Sequence, residues 1–292
     1  MAMSLLQLVL NGMALGAAYA LVALGFVLVL NATGAVNFAQ GDLVMAGGYT
    51  SAALAAALPL PGLALLPVVI GAMALLGLLV AGLAYFPLMR RPATAVFVST
   101  IAIGLVLQNA ALNLFGPEPR TAPPVWDSEP LRWGAVTLSS QALAVIGIAA
   151  VLVSGQAWLL ARTRLGRNLR ATAQDRDMAA ALGIPVTAMI ALSFALAAAL
   201  AGAAGALLAN QFFVTPTTGG ALILKAYIAV VIGGWGSLAG AVVGALLVGL
   251  FETVVAAAVS YTAASALLYA ALLLILLLRP QGLFGEAAGR RA

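Results

Sequence analysis

Apolar runs of roughly 20 residues, the length a helix needs to cross the hydrocarbon core of a bilayer, recur along this chain from one end to the other. Residues 5–30 and 138–160 contain no charged side chain at all. In lipid the backbone must satisfy its own hydrogen bonds, which only helices and closed barrels achieve. Strand-type alternation is absent, so the expected fold is an all-α, polytopic transmembrane helical bundle. Charged residues make up 7% of the chain, against about 25% in soluble domains.

The apolar segments are 5–30, 41–58, 63–88, 95–115, 138–160, 185–209, 222–233, 238–259 and 263–278. Arginines gather at three of their ends: Arg90 and Arg91; Arg162, Arg164, Arg167, Arg170 and Arg176; and Arg279, Arg290 and Arg291. The positive-inside rule makes these sites cytoplasmic. Residues 116–137 carry Glu118, Asp127 and Glu129 against Arg120 and Arg132, several prolines, and Trp126 and Trp133, and read as an extended external loop. The chain must then return outside near Gln211 and be inside again at Arg279, which takes one crossing or three. Segment 222–233 is too short to span alone and reads as re-entrant or broken, as does 31–48. We expect about eight spans in a single membrane domain, residues 1–292. The first run lacks the basic flank of a signal peptide and outlasts its usual apolar region, so it reads as a retained helix.

The formal net charge of +5 fits cytoplasmic loops better than a nucleic-acid partner. With no cysteine and no histidine, there is no thiol nucleophile, no imidazole base and no histidine metal ligand. Asp42 is the one aspartate in an apolar stretch, so an intramembrane aspartyl pair is excluded, and no GxxxxGK[ST] loop exists to bind ATP. No enzyme activity and no cofactor bound by this chain are expected.

Three places could carry function. Segment 31–50 sets Asn31, Asn37, Gln40 and Asp42 among Gly34, Gly41, Gly47 and Gly48 between apolar runs. A broken helix at a midplane binding site and a plain interfacial loop with Asp42 as a helix cap both fit. Further on, Gly236, Gly240 and Gly244 recur every fourth residue and suit close helix packing. Glu252 lies two turns beyond, with Lys225 in the preceding run; either the two neutralise each other or one lines a pathway. Finally, residues 162–185 hold five arginines and two aspartates, with Leu169, Ala173, Arg176 and Ala180 at helical spacing and Arg170, Gln174 and Asp177 on another side. This pattern predicts a surface helix stopped by Gly183 and Pro185, either a docking element or an ordinary orienting loop.

The blocks LNGMALGAAYALVALGFVLVL with TGAVNFAQGDLVMAGGY, GRNLRATAQDRDMAAALGI, and KAYIAVVIGGWGSLAGAVVGALLVGLFE resemble LivH-type permease subunits of ABC importers for branched-chain amino acids and related polar substrates. The resemblance covers essentially the whole chain. It implies a multi-pass subunit of a bacterial inner membrane, paired with a second related permease, two cytoplasmic ATPase subunits that bind the ATP, and a periplasmic substrate-binding protein. It also implies alternating access driven through a coupling helix, in which Gly166, Arg167, Arg170, Gln174, Asp177, Ala179, Ala180 and Gly183 would meet the ATPase, although no Glu-Ala-Ala triplet is present. Asn37, Phe38, Gln40, Gly41 and Asp42 would lie near the substrate path, with Glu252, and Gln40 stands where many relatives carry histidine. The rival function is an ion-coupled secondary transporter or channel using Asp42, Lys225 or Glu252.

Overall fold

The computed structural model describes residues 5–58, 60–126, 131–133, 136–279 and 281–284; Asp127, Glu129, Arg290 and Arg291 lie outside them. The described helices are α1 (Leu5–Thr33), α2 (Gln40–Ala57), α3 (Gly62–Val80), α4 (Ala93–Phe115), α5 (Ser140–Arg162), α6 (Arg164–Gln174), α7 (Arg176–Ala181), α8 (Val186–Leu208), α9 (Thr218–Gly233), α10 (Leu238–Ala258) and α11 (Tyr261–Leu278). A π turn (Ala81–Tyr85) and a 3₁₀ turn (Phe86–Leu88) extend α3. Seven of the helices, α1, extended α3, α4, α5, α8, α10 and α11, are long and apolar enough to cross a membrane. Segment 116–137 also contains a small antiparallel hairpin, β1 (Leu131–Trp133) with β2 (Val136–Leu138), where the sequence had suggested extended chain alone.

Hydrogen bonds between connections define the two ends of the bundle. At one end Asn31 Nδ2 donates to the Gly236 carbonyl at 2.9 Å, Arg176 Nη1 donates to the Tyr85 hydroxyl at 3.1 Å, and the Leu283 amide donates to Ile232 at 2.8 Å. At the other, Arg120 and Val214 exchange backbone hydrogen bonds at 3.0 and 2.8 Å, and the Val125 amide donates to Gln141 Oε1 at 3.0 Å. The arginine clusters around Arg91, Arg164 and Arg279 therefore share one end, and Glu118 belongs to the opposite one, as the charge bias requires.

Two helices run only part of the way. Gln40, the first residue of α2, donates through Nε2 to the Ala197 carbonyl at 3.1 Å, and Ala197 is halfway along α8. The chain thus leaves α1 at the arginine end, climbs back to mid-depth through residues 34–39, and starts α2 there. Helix α9 begins at the same depth, since a side chain at Gly41 would meet the Gly219 carbonyl. It then descends to the arginine end, so the last leg contains three helices, with α9 as the short one.

This placement exposes a symmetry. A long helix, a break, a partial helix starting at mid-depth and two further helices occur as α1–α4 and again, with opposite direction, as α8–α11. Their contacts match: α1 lies along α10 as α8 lies along α3, while α1 packs on α8 and α2 on α9 across the pseudo-twofold. Inverted halves of this kind place sites at their shared interface.

Small residues make the central contacts. A side chain at Gly16 would strike the α10 backbone at Leu246, and one at Gly249 would strike Gly16 in return. With no hydrophobic drive between helices in lipid, this close approach supplies the van der Waals energy. On the other face of α10, Gly240 and Gly244 lie against Gly233 and Ala229 of α9. Gly236 is not part of that stripe: it sits in the turn before α10 with φ +81, and only its spacing placed it on the helix.

Candidate functional site

Asn37 to Asp42 form the junction of the two halves. The Asn37 side chain is buried and its Oδ1 accepts from the Ala39 amide at 3.1 Å, turning the chain into α2, while Nδ2 has no partner among the described residues. The Phe38 amide donates to Thr100 Oγ1 of α4 at 3.1 Å, and its ring meets Phe97 edge-on at 4.8 Å. Asp42 is not the cap of α2: Ala39 holds that position, and Asp42 is buried, 6% exposed as a residue. Its Oδ1 instead accepts from Gln108 Nε2 of α4 at 2.9 Å. The first turns of α2 and α9 converge on it, and helix N-termini favour a negative charge by about 0.3–1 kcal/mol, more when partly buried. Among the described residues no cation pairs with this carboxylate, and Gln108 and the two helix N-termini are the groups that face it.

The convergence requires Gly219, where a methyl group would collide with the Asp42 backbone and carboxylate, whereas Gly220 faces open space. Gly219→Ala is expected to lower stability by about 1–3 kcal/mol through overpacking, and Gly220→Ala to raise it by about 0.4–1 kcal/mol. Thermal melts of the two detergent-purified variants distinguish this geometry from one in which both glycines behave alike.

Lys225 and Glu252 form the second centre. Lys225 Nζ lies 2.5 Å from Glu252 Oε1, and also donates to the hydroxyls of Tyr19 at 3.1 Å and Tyr261 at 2.9 Å. Tyr19 in turn donates to Glu252 Oε2 at 3.0 Å. The group ties α1, α9, α10 and α11 together and closes the floor of a cavity of about 460 Å³ toward the opposite end of the bundle. Leu15, Met45, Leu208, Phe212 and Val214 are among its walls.

At the arginine end the sequence pattern predicted one helix, and there are two. Thr163 caps α6, accepting from the Gly166 amide at 3.0 Å, and Asp175 breaks the run by capping α7, accepting from Met178 at 2.9 Å. The break resets the helical phase. Gly166, Leu169, Thr172 and Ala179 face inward, while Ala173 and Ala180, assigned to the apolar face by spacing, are exposed. Gly166 is pressed on the α5 backbone at Leu159 and Leu160. Arg167, Arg170, Gln174, Asp177, Ala180 and Gly183 lie on the exposed side, with Leu165, Met178 and Leu182. Gly183 has φ +77, with its amide on the Ala180 carbonyl and the Ile184 amide on Ala179, the two bonds of a Schellman stop.

Sequence reasoning did not single out Gln108, Gly219, Tyr19 or Tyr261. It named Arg176 only as a position in a pattern. In the structure its guanidinium holds Tyr85 in the π turn, and a side chain at Gly34 would meet its Nη2 at 3.5 Å. Arg176 therefore ties α7 to the end of α3 and lies beside Gly34 in the break between α1 and α2.

Inverted halves, partial helices meeting at mid-depth and an exposed basic helix pair at one end together define a multi-pass membrane permease. Residues 8–277 match the family model for the permease component of branched-chain amino acid transport systems, and the chain belongs to that family. It is 32% identical to the high-affinity branched-chain amino acid transport system permease protein LivH of Salmonella typhimurium, over 96% of this chain and 95% of the relative. The corresponding LivH of Escherichia coli K12 is 33% identical with the same coverage. BraD of Pseudomonas aeruginosa, also a branched-chain amino acid permease protein, is 31% identical over 96% of this chain and 95% of its own length.

Proposed function

We propose that this chain is an inner-membrane subunit of an ATP-driven importer, translocating branched-chain amino acids or related small polar substrates such as amides or urea by alternating access. The observation that carries the reading is the α6–α7 pair. It presents Arg167, Arg170, Gln174 and Asp177 with the apolar Leu165, Met178 and Leu182, and Arg176 ties it to Tyr85 at the end of α3, beside Gly34 of the α1–α2 break. A soluble ATPase docked there pushes on α7. Arg176 passes that displacement to Tyr85 and to the chain leading into α2, whose first turn meets α9 at Asp42. The two packings of that junction are the states the nucleotide selects.

The assembly contains a second related permease, two cytoplasmic ATPase subunits that bind the ATP, and a periplasmic binding protein on the opposite face. Membership of the family favours this reading over an ion-coupled carrier. A photo-crosslinking residue at Met178 or Leu182 is expected to capture the ATPase in the assembled complex, while one at Trp158, exposed on α5, captures none. Equal capture from all three positions, or none from Met178 and Leu182, contradicts the assignment.

A further inference from the structure

We propose that the cavity floored by Lys225 and Glu252 is a binding subsite for one apolar α-amino acid, its carboxylate toward Tyr261 and Lys225, its ammonium toward Glu252. The inference rests on the importer reading and adds a place and a chemistry to it. Four observations carry it.

The first is the polarity of the walls. Leu15, Met45, Leu208, Phe212 and Val214 form apolar walls of the chamber, and its two charged residues, Lys225 and Glu252, are gathered in one contact. Such a chamber takes a ligand with an apolar body and a charged head. The second is the sign of that contact, one cation and one anion 2.5 Å apart and 4% and 1% exposed. A ligand carrying a lone charge would unbalance a buried neutral pair, whereas a zwitterion places an opposite charge against each member. The third is the hydrogen-bond inventory. All three Lys225 protons are spent, on Glu252, Tyr19 and Tyr261. The Tyr261 hydroxyl accepts one of them, and its own proton has no acceptor among the described residues. An ammonium donating to that oxygen makes its O–H a stronger donor, and Tyr261 is 57% exposed. Glu252 accepts one hydrogen bond on each oxygen and keeps lone pairs for an ammonium. The fourth is position. The chamber lies toward the end opposite the arginines, and Val44 and Thr218 of its wall flank Asp42 and Gly219, so an occupant rests directly on the junction of the two halves.

The test is equilibrium binding of tritiated L-leucine to the complete permease–ATPase complex in lipid nanodiscs without the external binding protein. Unlabelled leucine is expected to displace the label, whereas 4-methylpentanoate, lacking the amine, and 3-methylbutylamine, lacking the carboxylate, do not at the same concentration. Tyr261→Phe removes the free donor from an exposed position and weakens binding about tenfold, the scale of one hydrogen bond to a charged group. Ala221→Phe fills the chamber from its rim and abolishes binding. Because loss of either charge threatens folding, the third variant is the exchanged pair Lys225→Glu with Glu252→Lys, which keeps a salt bridge, reverses its polarity and also loses binding. Unchanged leucine binding in Ala221→Phe or in the exchanged pair overturns the site, and displacement by either single-headed analogue as effective as by leucine overturns the zwitterion. If leucine fails to bind while ATP-driven uptake proceeds, the subsite is wrong and the importer reading stands. Absence of ATP-driven uptake of any amino acid, amide or urea removes the importer reading itself.

Discussion

Lys225→Met is expected to be among the most damaging single substitutions in this chain, lowering stability by about 3–5 kcal/mol, the cost of leaving a buried charge without its partner. Glu252 is 1% exposed, and removal of Lys225 leaves it with the Tyr19 hydroxyl alone. A double variant, Lys225→Met with Glu252→Met, removes both charges at similar volume and should regain most or all of that loss, since apolar replacement of a buried pair is often neutral or stabilising by about 1–4 kcal/mol. Fluorescence-detected thermal melts of the detergent-solubilised proteins read both. A double variant as unstable as the single one would show that the pair acts through its hydrogen bonds to Tyr19 and Tyr261 and not through mutual neutralisation.

Gly183→Pro should cause the second large effect, on transport and not on insertion. Proline fixes φ near −65° and has no amide proton. Gly183 sits at φ +77 and donates to the Ala180 carbonyl, so the substitution breaks the stop that aims α7. A side chain at Gly183 would meet open space, and the apolar spans are untouched. ATP-driven uptake in proteoliposomes should fall more than tenfold, with the protein still present in the membrane and ATPase turnover no longer stimulated by substrate. Arg170→Glu, on the exposed side of α6, should uncouple in the same direction without altering the backbone. Normal coupled uptake in both variants contradicts a role for this segment in driving transport.

Most of the architecture was legible because lipid imposes a simple code. Segments such as 5–30 and 138–160, free of charge, had to be helices, and the arginine positions ordered their ends. The partial helix at 222–233 was visible as a run too short to span. What spacing could not show is which breaks meet: Gly41 and Gly219 are far apart in sequence, and nothing in either one's neighbours names the other. The inverted halves were invisible for the same reason, being a likeness of path and not of residues. The two-helix form of 162–185 was closer to reach, because Asp175 stands three residues before Met178 in a capping position, but unbroken helical spacing through Ala173 and Ala180 concealed it. Gln108 looked like one polar residue on an apolar helix until α4 was laid beside Asp42.

The central claim is that this chain moves substrate only when a separate ATPase acts on it. The direct measurement is uptake of radiolabelled leucine, amide and urea into proteoliposomes containing this chain and the proposed second permease, with the proposed external binding protein supplied, with and without the ATPase subunits and internal ATP. Uptake of at least one of these substrates should appear only with the ATPase and ATP together, and should persist when ionophores collapse every ion gradient. Uptake that continues without the ATPase, or that an ionophore abolishes, contradicts the claim.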